Sequence, residues 1–243
     1  MILSVPRYTA PMTYSRALIV GAGSGLSAAL ARLFAKKGLQ VALAARTTDD
    51  LAPLAKETGA AVFTCDATKR DEVETLFEEL EAEPALGAPD VVVYNASYRT
   101  RGPMVDLDPA DVEKTLAVSA FGGFLVAQQA VRRMLPKRHG AILFTGASAS
   151  VKGYAQSAPF AMGKFALRGL AQSMAREFSP RGIHVAHVVI DGGIRSARRP
   201  AEADKPDALL DPDAIADTYW HVLQQPRSAW TWEVELRPWV EKF

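Results

Sequence analysis

Short apolar, β-rich runs alternate with longer amphipathic stretches along the chain. The runs that predict strands cover residues 17–20, 40–44, 61–65, 90–94, 141–145, 184–190 and 230–236. The stretches with helical periodicity cover residues 24–37, 50–57, 70–83, 109–135, 156–178 and 213–224. Buried parallel strands are nearly continuous apolar runs, and each needs a crossover helix. The pattern therefore predicts an α/β fold, a doubly wound seven-stranded parallel sheet flanked by helices.

No break divides this alternation into two domains. The chain has 243 residues, a normal length for a single α/β domain. We expect an N-terminal extension over residues 1–15, which lacks the apolar run of a signal peptide, and a single domain over residues 16–243. The polar, proline-containing stretch 195–212 is predicted to be a mobile loop. Its Arg195, Arg198 and Arg199 either attract an anionic substrate group or form a solvated charge run.

Composition excludes several classes of function. Lysine and arginine number 28 against 27 aspartate and glutamate, so the charge gives no basis for binding nucleic acid or an anionic membrane. The single cysteine, Cys65, excludes an internal disulfide and a multi-cysteine metal site. His184 and His187 would point to opposite faces of a strand, so no metal site is expected. No run is long enough to span a membrane, and the default expectation is a cytoplasmic protein.

A glycine cluster ends the first predicted strand, and a helical pattern follows at once. The cluster consists of Gly21, Ala22, Gly23, Ser24, Gly25 and Leu26. Glycines at such a turn let the backbone approach a pyrophosphate, and the helix N-terminus supplies N–H groups and a positive dipole end. In this strand-to-helix context the cluster predicts a Rossmann-type dinucleotide site.

The end of the second predicted strand indicates which dinucleotide binds. An acidic residue there would accept hydrogen bonds from the adenosine ribose hydroxyls, but Ala45 occupies that position and Arg46 follows. A guanidinium suits a 2′-phosphate, and Thr47 can add a hydroxyl donor. The sequence therefore predicts NADP(H) in preference to NAD(H). The alternative is that Arg46 is only a solvated surface arginine.

These residues resemble motifs of the short-chain dehydrogenase/reductase family. Gly21-x-x-x-Gly25-x-Ser27 resembles the family's Gly-x-x-x-Gly-x-Gly loop, with serine in place of the last glycine. The segment after the fourth strand resembles the Asn-Asn-Ala-Gly motif, in which Asn95 and Ala96 match. The resemblance implies that this motif supports the sheet and lines the adenine ribose.

Two further segments extend the resemblance, which covers about residues 16–236. Asp66, followed by Ala67, resembles the family aspartate that meets the adenine amino group. A later segment resembles the Pro-Gly and hydroxyl motif that holds the nicotinamide carboxamide, allowing one inserted residue. It contains Asp191, Gly192, Ile194 and Ser196.

The resemblance is incomplete at the catalytic positions. The family's Tyr-x-x-x-Lys motif provides a phenol that exchanges a proton with the substrate oxygen and a lysine that holds the nicotinamide ribose. Here Lys164 is present, but Phe160 occupies the tyrosine position and has no proton to exchange. Ala147 falls where the family has its serine, and Ser119 falls where it has its asparagine.

Three interpretations follow from these substitutions. The first is a reductase whose proton comes from Tyr154, helped by Ser148, or from a water held by Lys164. The second is a reductase of an activated double bond or imine, for which the demand for a tyrosine acid is relaxed. The third is an NADP(H)-binding scaffold or sensor without turnover. We expect an oxidoreductase that transfers hydride between NADP(H) and a small carbonyl, alcohol or activated double-bond substrate, with the third interpretation as the alternative.

Two features bear on assembly. The helical patterns at residues 109–135 and 156–178 are long and have broad apolar faces, as either subunit contacts or long core helices would. The family resemblance implies a homodimer or homotetramer built partly through these helices. Residues 230–236 alternate with period two, which predicts an edge strand with Trp230, Trp232 and Val234 on one face. The tail at residues 239–243 is expected to cover that edge.

Overall fold

A single parallel sheet of seven strands, in the order β3-β2-β1-β4-β5-β6-β7, organises the computed structural model, which describes residues 13–241. The strands are β1 Arg16–Val20, β2 Gln40–Ala45, β3 Ala61–Thr64, β4 Val91–Tyr94, β5 Gly140–Thr145, β6 Ile183–Ile190 and β7 Glu233–Leu236. The helices are α1 Leu26–Lys36, α2 Ala52–Thr58, α3 Arg70–Ala82, α4 Pro109–Leu116, α5 Gly122–Met134, α6 Ala158–Phe178 and α7 Pro212–Leu223. The predicted doubly wound Rossmann fold is confirmed.

Helices cover both faces of this sheet. On one face Phe34 of α1 and Ile215 of α7 belong to a cluster of buried residues that also includes Leu54 of α2. On the opposite face Phe77 of α3 and Leu167 of α6 belong to a second cluster. Because the central strands are covered on both sides, every residue of β4 and β6 is buried. Burial on both faces requires apolar residues at successive positions, which is why these strands occur in the sequence as continuous apolar runs.

The helix predicted over residues 109–135 has an interruption. Asp108 caps the start of α4 by accepting a hydrogen bond from the backbone N–H of Ala110. A π-helical turn, Ala117–Phe121, then separates α4 from α5. Ser119 lies within this turn against α6, where a Cβ on Gly163 would come within 2.8 Å of the Ser119 Cβ. The π turn and the glycine together bring the two helical segments into close contact.

The last strand is shorter than predicted. Its ladder begins at Glu233, because the preceding backbone is held by Gln225, whose carbonyl and side-chain oxygens accept from the Trp230 indole and the Thr231 N–H. Trp232 packs against one buried cluster and Val234 against the cluster on the opposite face. The prediction that Trp230, Trp232 and Val234 share a face is therefore wrong.

An ionic cluster fastens this edge strand to the rest of the fold. The guanidinium of Arg168 on α6 donates two hydrogen bonds to Glu233, at 2.6 and 2.7 Å. His187 Nδ1 lies 3.0 Å from the same carboxylate. Burial lowers the pKa of His187 to about 4, although Glu233 acts in the opposite direction. The imidazole is thus neutral near pH 7, and its Nδ1–H donates to Glu233.

The segments predicted to lie outside the regular elements make several contacts. Residues 1–12 of the expected extension lie outside the described residues, but the Ser15 hydroxyl already donates to Asp90 at 2.7 Å. The loop before α7 is closed by backbone hydrogen bonds from Leu210 to Gly193 and from Arg195 to Leu210, both 2.8 Å. Of the predicted tail, Trp239 donates its indole N–H to Asp207 of this loop, and residues 242–243 are not described.

Candidate active site

Two adjoining cavities open at the carboxyl ends of the strands, where doubly wound sheets bind their ligands. The first has a volume of about 280 Å³ and lies beside the glycine turn after β1; its lining includes Gly21, Arg46, Thr47, Asp66, Ala67, Asn95 and Ala96. The second has a volume of about 250 Å³ and its lining includes Asn95, Ser148, Tyr154, Phe160, Lys164, Gly192 and Ile194. Since Asn95 and Ser97 line both, a single elongated ligand can extend from one cavity into the other.

The glycine turn has the properties of a phosphate cradle. Gly21 has a φ of +83°, and a side chain there would overlap Ala96. Gly23 and Gly25 face open space, so packing within the protein does not explain why they lack side chains. Helix α1 begins without a side-chain cap or an acidic residue in its first turn. Its N–H groups and dipole are therefore available to an anion, and these residues fit the pyrophosphate of a dinucleotide.

Ser27 has a structural role that the sequence did not reveal. Its buried hydroxyl donates to the Gly21 carbonyl at 3.0 Å and accepts from the Asn95 side-chain amide at 2.7 Å. The Asn95 backbone N–H also donates to the Val20 carbonyl at 2.8 Å. These bonds connect the end of β1, the glycine turn and the end of β4. Leu26, by contrast, directs its side chain into the core, which leaves only its backbone to face a ligand.

Arg46 and Asp66 lie on the far wall of the first cavity. Arg46 is exposed and forms no ion pair with any residue between 13 and 241, so its guanidinium is available to a ligand. Burial works against ionisation of Asp66, but hydrogen bonds from the Thr68 N–H and hydroxyl, at 3.0 and 2.8 Å, together with the charges of Arg46 and Lys69, hold the pKa of this carboxyl below its ordinary value. The carboxylate is therefore charged at neutral pH and can accept hydrogen bonds.

A second cation near Arg46 was missed by sequence reasoning. Lys114 of α4 lines, together with Arg46 and Asp66, a neighbouring cavity of about 320 Å³. Its ammonium lies 4.5 Å from the ring centroid of Tyr98. Nothing in the local sequence marks Lys114, since only the packing of α4 brings it to this place.

Lys164 is buried in the second cavity. Only 3% of its surface is exposed, and its ammonium donates to the Thr145 carbonyl at 2.8 Å. Burial lowers the pKa of Lys164 to about 8. The ring of Phe160 lies between two cations, with its centroid 5.9 Å from the Lys164 ammonium and 4.8 Å from the Arg99 guanidinium. Phe160 thus contributes a phenyl ring to the wall of this cavity.

Ser148 and Tyr154 reach the same cavity through a charged network. Asp191 is buried, lies 3.2 Å from the Lys152 ammonium, and interacts with the Ser148 hydroxyl. Lys152 also interacts with the phenol of Tyr154, which is 46% exposed. The Asp191 carboxylate, and then Tyr154, raise the pKa of Lys152, so its ammonium stays charged. Sequence reasoning placed Tyr154 at the pocket and missed Lys152, which follows β5 without a motif.

Ser196 is the predicted nicotinamide-side residue that does not line either cavity. Gly192 and Ile194 do line the second cavity. Ser196 is exposed, and its backbone pairs with Arg199 in a tight turn with both N–H···O distances at 3.0 Å. This turn directs the chain away from the cavity two residues beyond Ile194.

Comparisons with known proteins identify the family. Residues 15–205 match the sequence profile of the family described as short chain dehydrogenase. This match covers most of the chain, and with the fold and the site geometry it shows that the chain belongs to the short-chain dehydrogenase/reductase family, a family of oxidoreductases. The resemblance inferred from the motifs is confirmed.

Three relatives illustrate this membership. A short-chain dehydrogenase from Rhodopseudomonas palustris is 34% identical, with a TM-score of 0.79 over 93% of this chain and 99% of that one. A metagenomic short-chain oxidoreductase in complex with NADP is 26% identical, with a TM-score of 0.80 over 93% and 98%. The cyclic-di-GMP-binding biofilm dispersal mediator protein of Escherichia coli K12 is 32% identical over 82% of this chain and 81% of its own length.

Two structural absences apply to the part of the chain that the structure covers. Among residues 13–241, none of the helices combines the length and apolar character that a membrane crossing requires. Within the same residues, histidine, cysteine, aspartate and glutamate side chains do not gather in threes as metal ligands would.

Proposed function

We propose that this chain is an NADP(H)-dependent oxidoreductase that transfers hydride between NADP(H) and a small carbonyl, alcohol or activated double-bond substrate. The observation that carries this proposal is the junction of the two cavities, one beside the glycine turn and Arg46, the other around Lys164. The NADP complex of the metagenomic relative supports the same cofactor. When bound, the nicotinamide supplies the hydride chemistry.

The cofactor contacts divide among three groups of residues. The pyrophosphate is proposed to bind the backbone of Gly21, Gly23, Ser24, Gly25 and Leu26. The adenosine end is proposed to contact Arg46, Thr47, Asp66, Ala67, Asn95 and Ala96. The nicotinamide end is proposed to contact Lys164, Gly192 and Ile194. Arg46 would bind the 2′-phosphate as a charge-assisted donor, because it has no ion-pair partner within residues 13–241.

The substrate proton is proposed to come from Tyr154. By the family's spacing Phe160 takes the position of the usual phenol, and a phenyl ring cannot donate a proton. Tyr154 lines the same cavity, and the adjacent Lys152 ammonium would stabilise the phenolate that remains after proton transfer. Ser148 would add a hydrogen bond to the substrate oxygen. Lys164 would orient the ribose from its fixed position on the Thr145 carbonyl.

A second candidate function is NADP(H) binding without turnover, as a sensor. Two observations favour it: Phe160 faces the cavity without an exchangeable proton, and the Escherichia coli relative is named for the ligand that it binds. Under this candidate the cofactor contacts are unchanged, and only the chemistry at Tyr154 is absent.

A cofactor titration followed by a substrate panel tests both candidates. We expect NADPH to bind and to be oxidised when a ketone, enone or imine of the panel is added, because the two cavities adjoin. Lys164→Ala is the control: it should abolish activity at this site, so any NADPH oxidation that remains is background. Binding of NADPH with no turnover across the panel would favour the scaffold or sensor over the oxidoreductase. If the protein bound no NADPH, both candidates would be wrong.

We also propose that the chain forms a homodimer or a larger homo-oligomer through α5 and α6. An apolar groove of about 490 Å³ lies where the end of α4, the π turn and the start of α5 meet α6; its lining includes Leu116, Ala117, Ala120, Phe121, Phe124 and Leu170. Phe121 and Phe124 stack at 6.3 Å and are 49% and 41% exposed. Met162 and Phe165 add exposed apolar surface on α6. Contiguous apolar patches of this kind mark subunit contacts more often than free surface.

Replacing Phe124 with Glu is expected to convert the oligomer to monomer, because a carboxylate would be buried at the centre of the contact. Multi-angle light scattering at micromolar concentration measures the change in mass. Lys56→Glu, on exposed α2 across the sheet, is the control and should leave the mass unchanged. A monomeric wild-type protein under the same conditions would refute the proposed assembly.

A further inference from the structure

Three arginines converge at the mouth of the Lys164 cavity. Arg99 lines the cavity itself, in the segment that follows β4. Arg101 lies two residues farther along, and Arg199 comes from the loop after β6, where its guanidinium approaches Gly193. Arg101 and Arg199 are both close enough to act electrostatically on Arg99.

These guanidinium groups lack acidic partners in the part of the chain that is described. None of the three forms an ion pair with a residue between 13 and 241, whereas the neighbouring Arg195 and Arg237 are paired with Asp211 and Asp191. The nearby Asp191 is already engaged, since Lys152 and Arg237 lie 3.2 and 3.1 Å from the same carboxylate oxygen. Positive charge at the cavity mouth is therefore left without compensation by the protein.

Phe160 fixes the position of Arg99. The guanidinium lies 4.8 Å from the ring centroid, within the range of a cation–π contact. A planar guanidinium held over a ring keeps its N–H edge free to bind a carboxylate through two parallel hydrogen bonds. Phe160 thereby gains a function as a platform for Arg99.

The electrostatic state of Arg99 agrees with this arrangement. Partial burial, and then the charges of Arg101 and Arg199, lower the pKa of Arg99. Like charges collected in a cleft are costly for the free protein, and an anion bound among them relieves that cost.

We propose that the substrate of this site is a small oxo acid whose carboxylate binds Arg99, with Arg101 and Arg199 adding positive charge around it. The cavity of about 250 Å³ limits the substrate to a compact molecule. The carboxylate at Arg99 would place the adjacent carbonyl group near Tyr154, Ser148 and Lys164, which line the same cavity. This inference rests on the proposed function for the reacting group, but binding of the carboxylate does not require turnover.

Calorimetric titration of the NADP⁺-loaded protein with matched acids and esters tests the inference. The probes are pyruvate, 2-oxopentanoate and benzoylformate, each compared with its methyl ester. At least one acid is expected to bind about tenfold or more tightly than its ester, as a hydrogen bond to a charged group allows. Arg99→Gln is expected to remove that preference while the affinities for the ester and for NADP⁺ stay unchanged. Added NaCl should weaken binding of the acid but not binding of the ester.

Arg176→Gln is the matched control, because it removes the same charge from an exposed position far along α6. The oxidised nicotinamide attracts any anion, so the comparison between Arg99→Gln and wild type is decisive. The inference is overturned if no acid binds more tightly than its ester, or if Arg99→Gln keeps the preference for the acid. Failure to bind NADP⁺ in a preceding titration would instead count against the proposed function.

Discussion

Replacing Tyr154 with Phe is expected to lower kcat for carbonyl reduction by about 10²–10⁴-fold, the usual contribution of a positioned proton donor. The phenol lines the cavity beside Lys152, and the phenyl ring of Phe160 cannot replace it. NADPH affinity should change little, because none of the proposed cofactor contacts is assigned to the Tyr154 phenol. Steady-state kinetics on whichever substrate of the panel reacts, with a parallel NADPH titration, measures both quantities.

Two further variants sharpen the test of Tyr154. Tyr14→Phe makes the same chemical change at a half-buried residue beside His139, away from both cavities, and should leave kcat unchanged. Phe160→Tyr should raise carbonyl reduction if a phenol at that position can reach the substrate. The gain is not additive with the other groups, since catalytic residues act as a unit. Unaltered turnover in both Tyr154→Phe and Ser148→Ala would contradict the proposed proton source.

Replacing Arg46 with Ala is expected to weaken NADPH binding about 10- to 100-fold, which corresponds to about 1.5–3 kcal/mol for a hydrogen bond to a charged group. The guanidinium forms no ion pair among residues 13–241, so its removal breaks no such contact within the protein, and the Asp66 carboxylate keeps its hydrogen bonds from Thr68. NADH binding should hardly change, because NADH lacks the 2′-phosphate. Fluorescence titration with both cofactors gives the two dissociation constants.

Controls distinguish a local effect of Arg46 from general charge loss. Arg132→Ala removes an exposed guanidinium at the end of α5 and should leave both affinities unchanged. Lys114→Ala should weaken NADPH less than Arg46→Ala, since Lys114 lines only the neighbouring cavity. Tighter binding of NADH than of NADPH by the wild-type protein would show that the assignment of NADP(H) is wrong.

The local pattern of apolar residues was sufficient to predict the sheet, because its central strands are buried on both faces. The predicted strand at residues 40–44 differs from β2, Gln40–Ala45, by a single residue. The prediction of secondary structure failed where contacts between distant residues, and not the local sequence pattern, determine the backbone conformation. Residues 230–232 alternate like a strand but lie outside β7. There Trp230 instead stacks on His184, with the ring centroids 4.5 Å apart. Likewise nothing in residues 109–135 indicates the π turn at Ala117–Phe121.

The candidate site divides along the same line. The glycine turn and Arg46 could be predicted, because each directly follows a strand and is marked by its own short stretch of sequence. Both line or border the first cavity. Arg99 and Lys152 could not be predicted, because each belongs to an irregular segment whose position depends on the ends of different strands. Their importance arises from neighbours that are distant in sequence, namely Phe160 for Arg99 and Asp191 for Lys152.

The strand order has a consequence for synthesis of the chain. From β4 onward, each strand pairs with an element made before it, and β5, β6 and β7 extend the sheet one after another. While the ribosome has produced β6 but not β7, a strand whose eight residues are all buried in the finished fold is an open edge. His187 also lacks its Glu233 partner at this stage. A nascent or shortened chain that ends before Glu233 therefore exposes an apolar edge capable of pairing with other chains.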